Sequence, residues 1–247
     1  GQAEARPDGE PEALNERPLD DVGDDLAEGR PGARRAPESA YELPSSLLVC
    51  NFDNNGTLLH HSQVLTLFHE FGHALHSLLS RTEYQHLSGT RGELDFVETP
   101  SQLLEYFACD PRVLQRFAFH HETNEPIPLR IVDALNGARR RFVAMDLQQQ
   151  IMFAVCDQLL FDGRPATEVA SQAAVSDMLT NLQNNYTEVP HVDGTFWLTR
   201  FSHFASYSAG YYSYTYSRAF AADIWHNCLK QDPLDRRAGE QLREHVF

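Results

Sequence analysis

Paired cysteines are missing from this 247-residue chain. Cys50, Cys109, Cys156 and Cys228 lie far apart, with no C-x-x-C. That spacing argues against a disulfide framework and for buried or free thiols in a reducing compartment. Basic charge is also scarce: 20 Lys+Arg stand against 35 Asp+Glu, a net charge of −15. Such a balance argues against nucleic acid or an anionic membrane as the main partner, and suits basic ligands or simple solubility. No apolar run approaches the length that spans a membrane. No fixed-period repeat is present. No secretory signal supports the N-x-T patterns at Asn55 and Asn185, which are read as chance matches.

What is present is ordinary in bulk. Hydrophobic residues make up 42% of the chain, enough to bury a core in one large domain or two small ones. The chain opens on Gly1 and closes at Phe247 inside a helical pattern. It is therefore expected to be a piece of something longer, with any targeting segment outside it.

The first 44 residues differ from the rest. They hold six of the 13 prolines, with 12 acidic and 5 basic side chains, so −7 of the −15 resides there. Few large apolar residues accompany them, so burial cannot offset the cost of ordering. Residues 1–40 are expected to be a disordered, Pro-rich acidic segment, and 41–247 to be the folded domain. "SLLVCNF" (46–52) reads as a short strand and "DNNG" (53–56) as a turn. Helical spacing then takes over, with Val64, Leu65, Phe68, Leu75, Leu78 and Leu79 on one pattern over 63–80. Gly89, Gly92 and β-formers make 84–97 a loop or hairpin. Helices follow at 98–108, with Pro100 in the first turn, and near 111–121, 127–161 with a break at Gly137, 166–183, 208–231 and 234–247. The fold class is mainly α, multi-helix, with a small β element.

The first helix carries "FHEFGHALH" (68–76). His69 and His73 are four residues apart, hence about 40° apart around a helix axis and one turn apart along it. Both imidazoles can reach one zinc ion. Glu70 projects roughly 100° from His69, so it ligates poorly but can serve as general base toward a water. The plainer reading is a helix with histidines on a solvated face. The apolar flanks weigh against that, because buried unpaired His and Glu are costly.

A catalytic zinc takes a third protein ligand and keeps one position open. Downstream candidates are His76, His86, Glu93, Asp95, Glu98 and Glu105. Three ligands on consecutive turns of one straight helix cannot converge, so His76 is expected to pack or to form a hydrogen bond. Glu98 is better placed, starting a second helix after a loop long enough to reverse the chain. Glu98 and Glu105 share a helix face, so one can ligate while the other hydrogen-bonds a ligand histidine.

"HEFGHALH" followed by "SGTRGELDFVETPSQLLEYF" resembles the thimet-oligopeptidase-like family of zinc peptidases. Its H-E-F-G-H and F-V-E-x-P-S-Q motifs recur here at matching separation, over about residues 41–247. "RTEYQHLSGTR", "FHHETNEPIP" and "FSHFASYSAGYYSYTYSRAFA" look most like its mitochondrial precursor-processing branch. The resemblance implies a zincin-like metallopeptidase region with His69, His73 and Glu98 on one Zn2+ and Glu70 as base. It also implies that His203, Tyr207, Tyr211 and Tyr214 bind substrate, with His203, Tyr211 and Tyr214 at the oxyanion. From spacing alone "HFASYSAGYYSY" (203–214) could be a packed aromatic stripe, although its Gly and Ser residues suit a mobile ligand-facing loop.

The expected activity is zinc-dependent endopeptidase or oligopeptidase chemistry, with a peptide or precursor protein as substrate. The resemblance points to removal of a short N-terminal peptide from precursors imported into the mitochondrial matrix. The alternatives are a general oligopeptidase acting on short peptides in cytosol or matrix, and a non-catalytic zinc-stabilised binding fragment. The family's N-terminal helical half, which walls a deep channel, has no counterpart here and is expected to be needed. Residues 1–40 do not look like its usual lead-in. Two further features are set aside. "NFDNNGTLLHHS" (51–62) starts like a calcium loop but ends on Ser62 where a bidentate Glu is required. His60, His61, His120 and His121 read as surface residues.

Overall fold

The structure, a computed structural model, describes residues 43–52, 58–163 and 171–247. The acidic segment 1–40, the turn at 53–56, most of the first half of the calcium-like loop, and the first residues of the helix expected at 166–183 lie outside them.

The described residues are mainly α-helical. α1 spans His61–Leu79. Its start is held by Gln63 Oε1, which accepts the His60 backbone N–H at 2.8 Å, a reciprocal use of an otherwise unpaired helix-start donor. Two 3₁₀ turns, Gln85–Leu87 and Gly89–Arg91, follow it. α2 (Leu94–Val97) and α3 (Thr99–Phe107) come next, with Glu98 at their joint. α4 is Pro111–Phe117, α5 Leu129–Arg141, α6 Val143–Leu160 and α7 Gln172–Tyr186. α8 (His203–Ser206) precedes α9 (Tyr212–Ile224). A π turn at Trp225–Leu229 then leads to α10 (Arg236–His245).

Four expectations need correcting. The strand at 46–52 does not form. Leu47 and Val49 are 88% and 74% exposed, and among the described residues no strand lies alongside to take up their backbone groups. The sole β pairing there is an isolated bridge, Phe119 to Pro126, which turns at Asn124 (φ 56) and ends α4 earlier than expected. The stretch 84–97 forms 3₁₀ turns and α2 rather than a hairpin. The long helix breaks at Phe142 (φ −117, ψ 12), not at Gly137. Gly137 costs about 1 kcal/mol in a helix but does not end one, whereas Arg139, Arg140 and Arg141 favour a helix C-terminus by charge.

Two apolar clusters organise the packing. Leu103, Ala221, Trp225, Leu229, Ala238 and Leu242 join α3, α9, the π turn and α10. Tyr106 and Phe107 each meet Trp225 at 5.3 Å between ring centroids. The second cluster, Met152, Cys156, Leu179, Leu182, Phe204 and Tyr211, joins α6 and α7 to α8 and the start of α9. α9 contacts α2 and α3 as well as α6, so it links the two. The four cysteines are all free, and among the described residues no helix is long and apolar enough to cross a membrane.

Candidate metal centre and adjoining cleft

α1 packs along α3, and one residue makes that crossing close. A Cβ placed on Gly72 would lie 2.5 Å from Ser101 Cα and 2.6 Å from the Pro100 carbonyl oxygen. Only glycine fits there, so the glycine between the two histidines is the contact point of the helices. A second glycine anchors the connection. Gly89 adopts φ +58 and lies so near Ser77 that a Cβ would meet its Cα at 2.7 Å, while its N–H donates to Ser80 Oγ at 3.1 Å.

This crossing carries Glu98 to α1. Glu98 Oε2 lies 3.2 Å from His69 Nε2 and 3.2 Å from His73 Nε2. The three ligand atoms all lie within 4.8 Å of one another, a group able to coordinate a metal ion. The fully buried Ser101 places its Oγ 2.7 Å from Glu98 Oε2, where it donates to the carboxylate. His69 Nδ1 is 2.8 Å from Glu105 Oε1. A proton on Nδ1 directed to Glu105 leaves the Nε2 lone pair for a metal. The His73 Nδ1 is buried without a hydrogen-bond partner among the described residues.

The electrostatics of the metal-free group favour an ion pair, with His69 protonated and Glu98 ionised. Burial by itself lowers the His69 imidazole, but hydrogen bonds to Glu105 and Glu98, and their charges, override it and hold the pKa at about 9. Burial likewise opposes ionisation of Glu98. Hydrogen bonds from His69, His73 and Ser101 outweigh that and keep it well below the usual carboxylate range.

His76 is placed as the helix geometry requires. It is outside the ligand group, buried, with its ring edge-on to Phe96 at 6.1 Å. Burial, and then the charge of His73, lower its pKa. Glu70 is half-buried one residue along from His69 and is not one of the converging ligands. His86, Glu93 and Asp95 are likewise outside the group. His60, His120 and His121 are exposed, but His61 is half-buried, with Nε2 3.0 Å from the Ala108 carbonyl.

A cleft of about 580 Å³ opens beside His69 and Glu105, and His203, Tyr211 and Tyr214 line its other side. Their rings form a triangle, with centroids 4.9 Å apart for His203–Tyr211, 5.4 Å for His203–Tyr214 and 5.3 Å for Tyr211–Tyr214. Tyr207 is more than half exposed and borders His203 at 5.1 Å. Burial raises the phenols of Tyr211 and Tyr214, and it lowers the His203 imidazole. The segment is neither a loose loop nor a plain stripe. Tyr211 is 8% exposed within the second core cluster and still lines the cleft. Its hydroxyl donates to Gln150 Oε1 at 2.9 Å.

Sequence reasoning missed Gly72, Ser101, Gln150 and Asp157. The fully buried Asp157 accepts the backbone N–H groups of Ala209 at 3.0 Å and Tyr211 at 2.8 Å. A lone acidic residue inside "IMFAVCDQLLF" (151–161) was the available signal for it.

Comparison with known proteins agrees with this geometry. The family model described as Peptidase family M3 matches residues 24–247, so the match begins inside the acidic segment, which the residue-level resemblance did not reach. The mitochondrial intermediate peptidase of Arabidopsis thaliana is 49% identical over 220 residues, covering 87% of this chain and 31% of that protein. The human mitochondrial intermediate peptidase is 41% identical over 220 residues, 87% of this chain and 30% of its own length. That of Neurospora crassa is 38% identical over 229 residues, 89% and 28%. The chain thus spans less than a third of the length of these relatives. With its paired histidines and Glu98 drawn together across the α1–α3 crossing, the chain belongs to peptidase family M3.

Proposed function

We propose that this chain carries the zinc-binding catalytic part of an endopeptidase. The observation that carries the reading is the convergence of His69 Nε2, His73 Nε2 and Glu98 Oε2, each nitrogen 3.2 Å from the carboxylate oxygen. Zinc–ligand distances of about 2.0–2.2 Å at tetrahedral angles put donor atoms roughly 3.3–3.6 Å apart, so the donors here need part only slightly to take the ion. Two imidazoles and one carboxylate also match the donor set of a catalytic zinc with an open position. Zinc held there supplies Lewis acidity to the scissile carbonyl and to the attacking water.

The chain's own residues do the rest. Glu105 holds His69 in the tautomer that offers Nε2. The Glu70 carboxylate takes a proton from the attacking water and returns it to the leaving amine. The Tyr214 hydroxyl, with His203, faces the carbonyl oxygen as negative charge develops on it, and the Tyr211 hydroxyl joins them by turning its proton from Gln150 to that oxygen. Tyr207, at the exposed edge, binds the peptide.

The names of the relatives support a mitochondrial setting, with imported precursor proteins as substrates that lose a short N-terminal peptide. Their greater length supports a channel completed by a further N-terminal half. Full-length protein should then cut a matrix-targeted precursor and leave a short unstructured peptide alone. Free cutting of the short peptide would instead favour a general oligopeptidase.

The central test is Glu70→Gln. Hydrolysis should fall by roughly several orders of magnitude while about one zinc per chain remains. Loss of zinc together with activity would make Glu70 a ligand. Unchanged hydrolysis would remove it from the chemistry and reopen the reading as a non-catalytic zinc-stabilised fragment.

A further inference from the structure

Tyr211 is held from α6 at both ends. Its phenol hydroxyl donates to Gln150, its ring meets Phe153 edge-on at 5.6 Å, and its backbone N–H donates to Asp157 Oδ2 at 2.8 Å. Gln150 and Asp157 are seven residues apart, so they lie on one face of α6 two turns apart. The other Asp157 oxygen accepts the Ala209 N–H at 3.0 Å. The adjacent Gln158 donates Nε2 to the Ala209 carbonyl at 2.8 Å. Ala209 is thus gripped on both sides of its residue, and its φ is +57.

An alanine in that region is disfavoured and persists only when its surroundings impose it. Two side chains of α6 do so here. Across the turn, a Cβ on Gly210 would lie 2.6 Å from Leu94 Cδ2, so the turn is wedged between α6 and α2, the helix that ends at Glu98. A side chain as costly to bury as Asp157 is retained only where its hydrogen bonds are satisfied, and both its oxygens are spent on this one turn.

We propose that Asp157 and Gln158 form a positioning clamp. By imposing the left-handed conformation of Ala209 they set where Tyr211, and the His203 and Tyr214 rings packed on it, stand in the cleft. The clamp touches no substrate and acts through Tyr211. Its catalytic consequence rests on the role proposed above for Tyr211, whereas its effect on the turn does not.

The test uses zinc-loaded full-length protein. Asp157→Asn keeps one acceptor but turns an amide NH₂ toward a backbone N–H. Peptide hydrolysis should fall about 30-fold, mainly in kcat, the scale expected when a reacting group is misplaced by a fraction of an ångström. Zinc content should be unchanged. Amide exchange over 208–211 should quicken about tenfold or more, with α1 and α3 unaffected. In a Tyr211→Phe background Asp157→Asn should cost clearly less than about 30-fold further, because the share of its effect carried by the Tyr211 hydroxyl is already lost while the share carried by the ring remains. A full additional 30-fold loss, or unchanged exchange at 208–211, would overturn the clamp. If Asp157→Asn does not fold, the exposed Gln158→Ala carries the test. It should lower kcat by about 3-fold and loosen the same four residues, and wild-type kinetics with wild-type exchange would overturn the proposal. Wild-type kcat in Tyr211→Phe alone would sink the role proposed for Tyr211. Exchange would still decide the clamp.

Discussion

The metal side of the cleft and its tyrosine side are built from different kinds of contact. His69 and His73 come from one turn of α1, and Glu98 reaches them by a single helix crossing fixed at Gly72. Tyr211 is held by residues 54 and 61 positions away in the chain. On the first side, helix periodicity does most of the positioning and one glycine completes it. On the second, a buried acid, two glutamines and a strained alanine share the task. A ligand constellation that cannot tolerate misplacement sits on regular helices. The rings that line the other side of the cleft sit around a turn whose shape depends on long-range hydrogen bonds.

The largest expected effect separates the ligand from its neighbours on the metal side. Glu98→Ala removes one of three donors and leaves two histidines, so zinc affinity should fall by more than about 100-fold in a competition titration. His76→Ala, which loses only packing against Phe96, should keep its zinc. Equal zinc loss in both would reopen the third ligand.

On the tyrosine side, Tyr214→Phe deletes a hydroxyl for which the described residues show no hydrogen-bond partner. If that hydroxyl meets the oxyanion, kcat should drop by about 10²–10³ with a smaller change in KM and an unmoved melting temperature. Wild-type kcat would return Tyr214 to the role of a packed ring.

Gly72→Ala attacks the crossing itself. Parting α1 and α3 should cost about 1–3 kcal/mol in a thermal or denaturant melt. It should also weaken zinc binding by roughly tenfold, because Ser101 and Glu98 move together. A lowered melt with unchanged affinity would show that the crossing stabilises the fold without setting the ligand.

The smallest effect concerns protons. Without metal, His69 titrates near 9, raised by Glu105 and Glu98. Its ion pairs therefore stabilise the metal-free fold fully below the ordinary histidine pKa of about 6.5, and that contribution fades as pH rises through about 9. Zinc must displace the Nε2 proton. Uptake at neutral pH should release about one proton from His69, with Glu98 already ionised, and affinity should climb with pH until about 9. Calorimetry in buffers of different ionisation enthalpy measures the release. Glu105→Gln should shift the rise to lower pH, and an unshifted profile would contradict the cause assigned here.

Much of the metal side was legible beforehand. His69, Glu70 and His73 share a pattern that any helix projects in the same way, and the same periodicity removed His76. Glu98 and Glu105, seven residues apart, share a face for that reason too. Gly72 was in plain view inside the motif, but its purpose depends on how near α3 comes, and no spacing along α1 carries that distance. The strand expected at 46–52 failed for a related reason. A short apolar run makes a strand only beside a partner, and a partner is not a local property.

The tyrosine side shows where local reading stops. Its composition allowed a stripe or a loop, and Tyr211 is both core and cleft wall because α6 passes on one side and open space lies on the other. Helix periodicity, charge balance and the ligand spacing belong to the sequence by itself, since they follow from covalent geometry and residue chemistry within a few turns of chain. The approach of α3 to Gly72 and the grip of Asp157 on Ala209 and Tyr211 were decided only by tertiary structure, because each is a contact between segments that neither segment encodes alone.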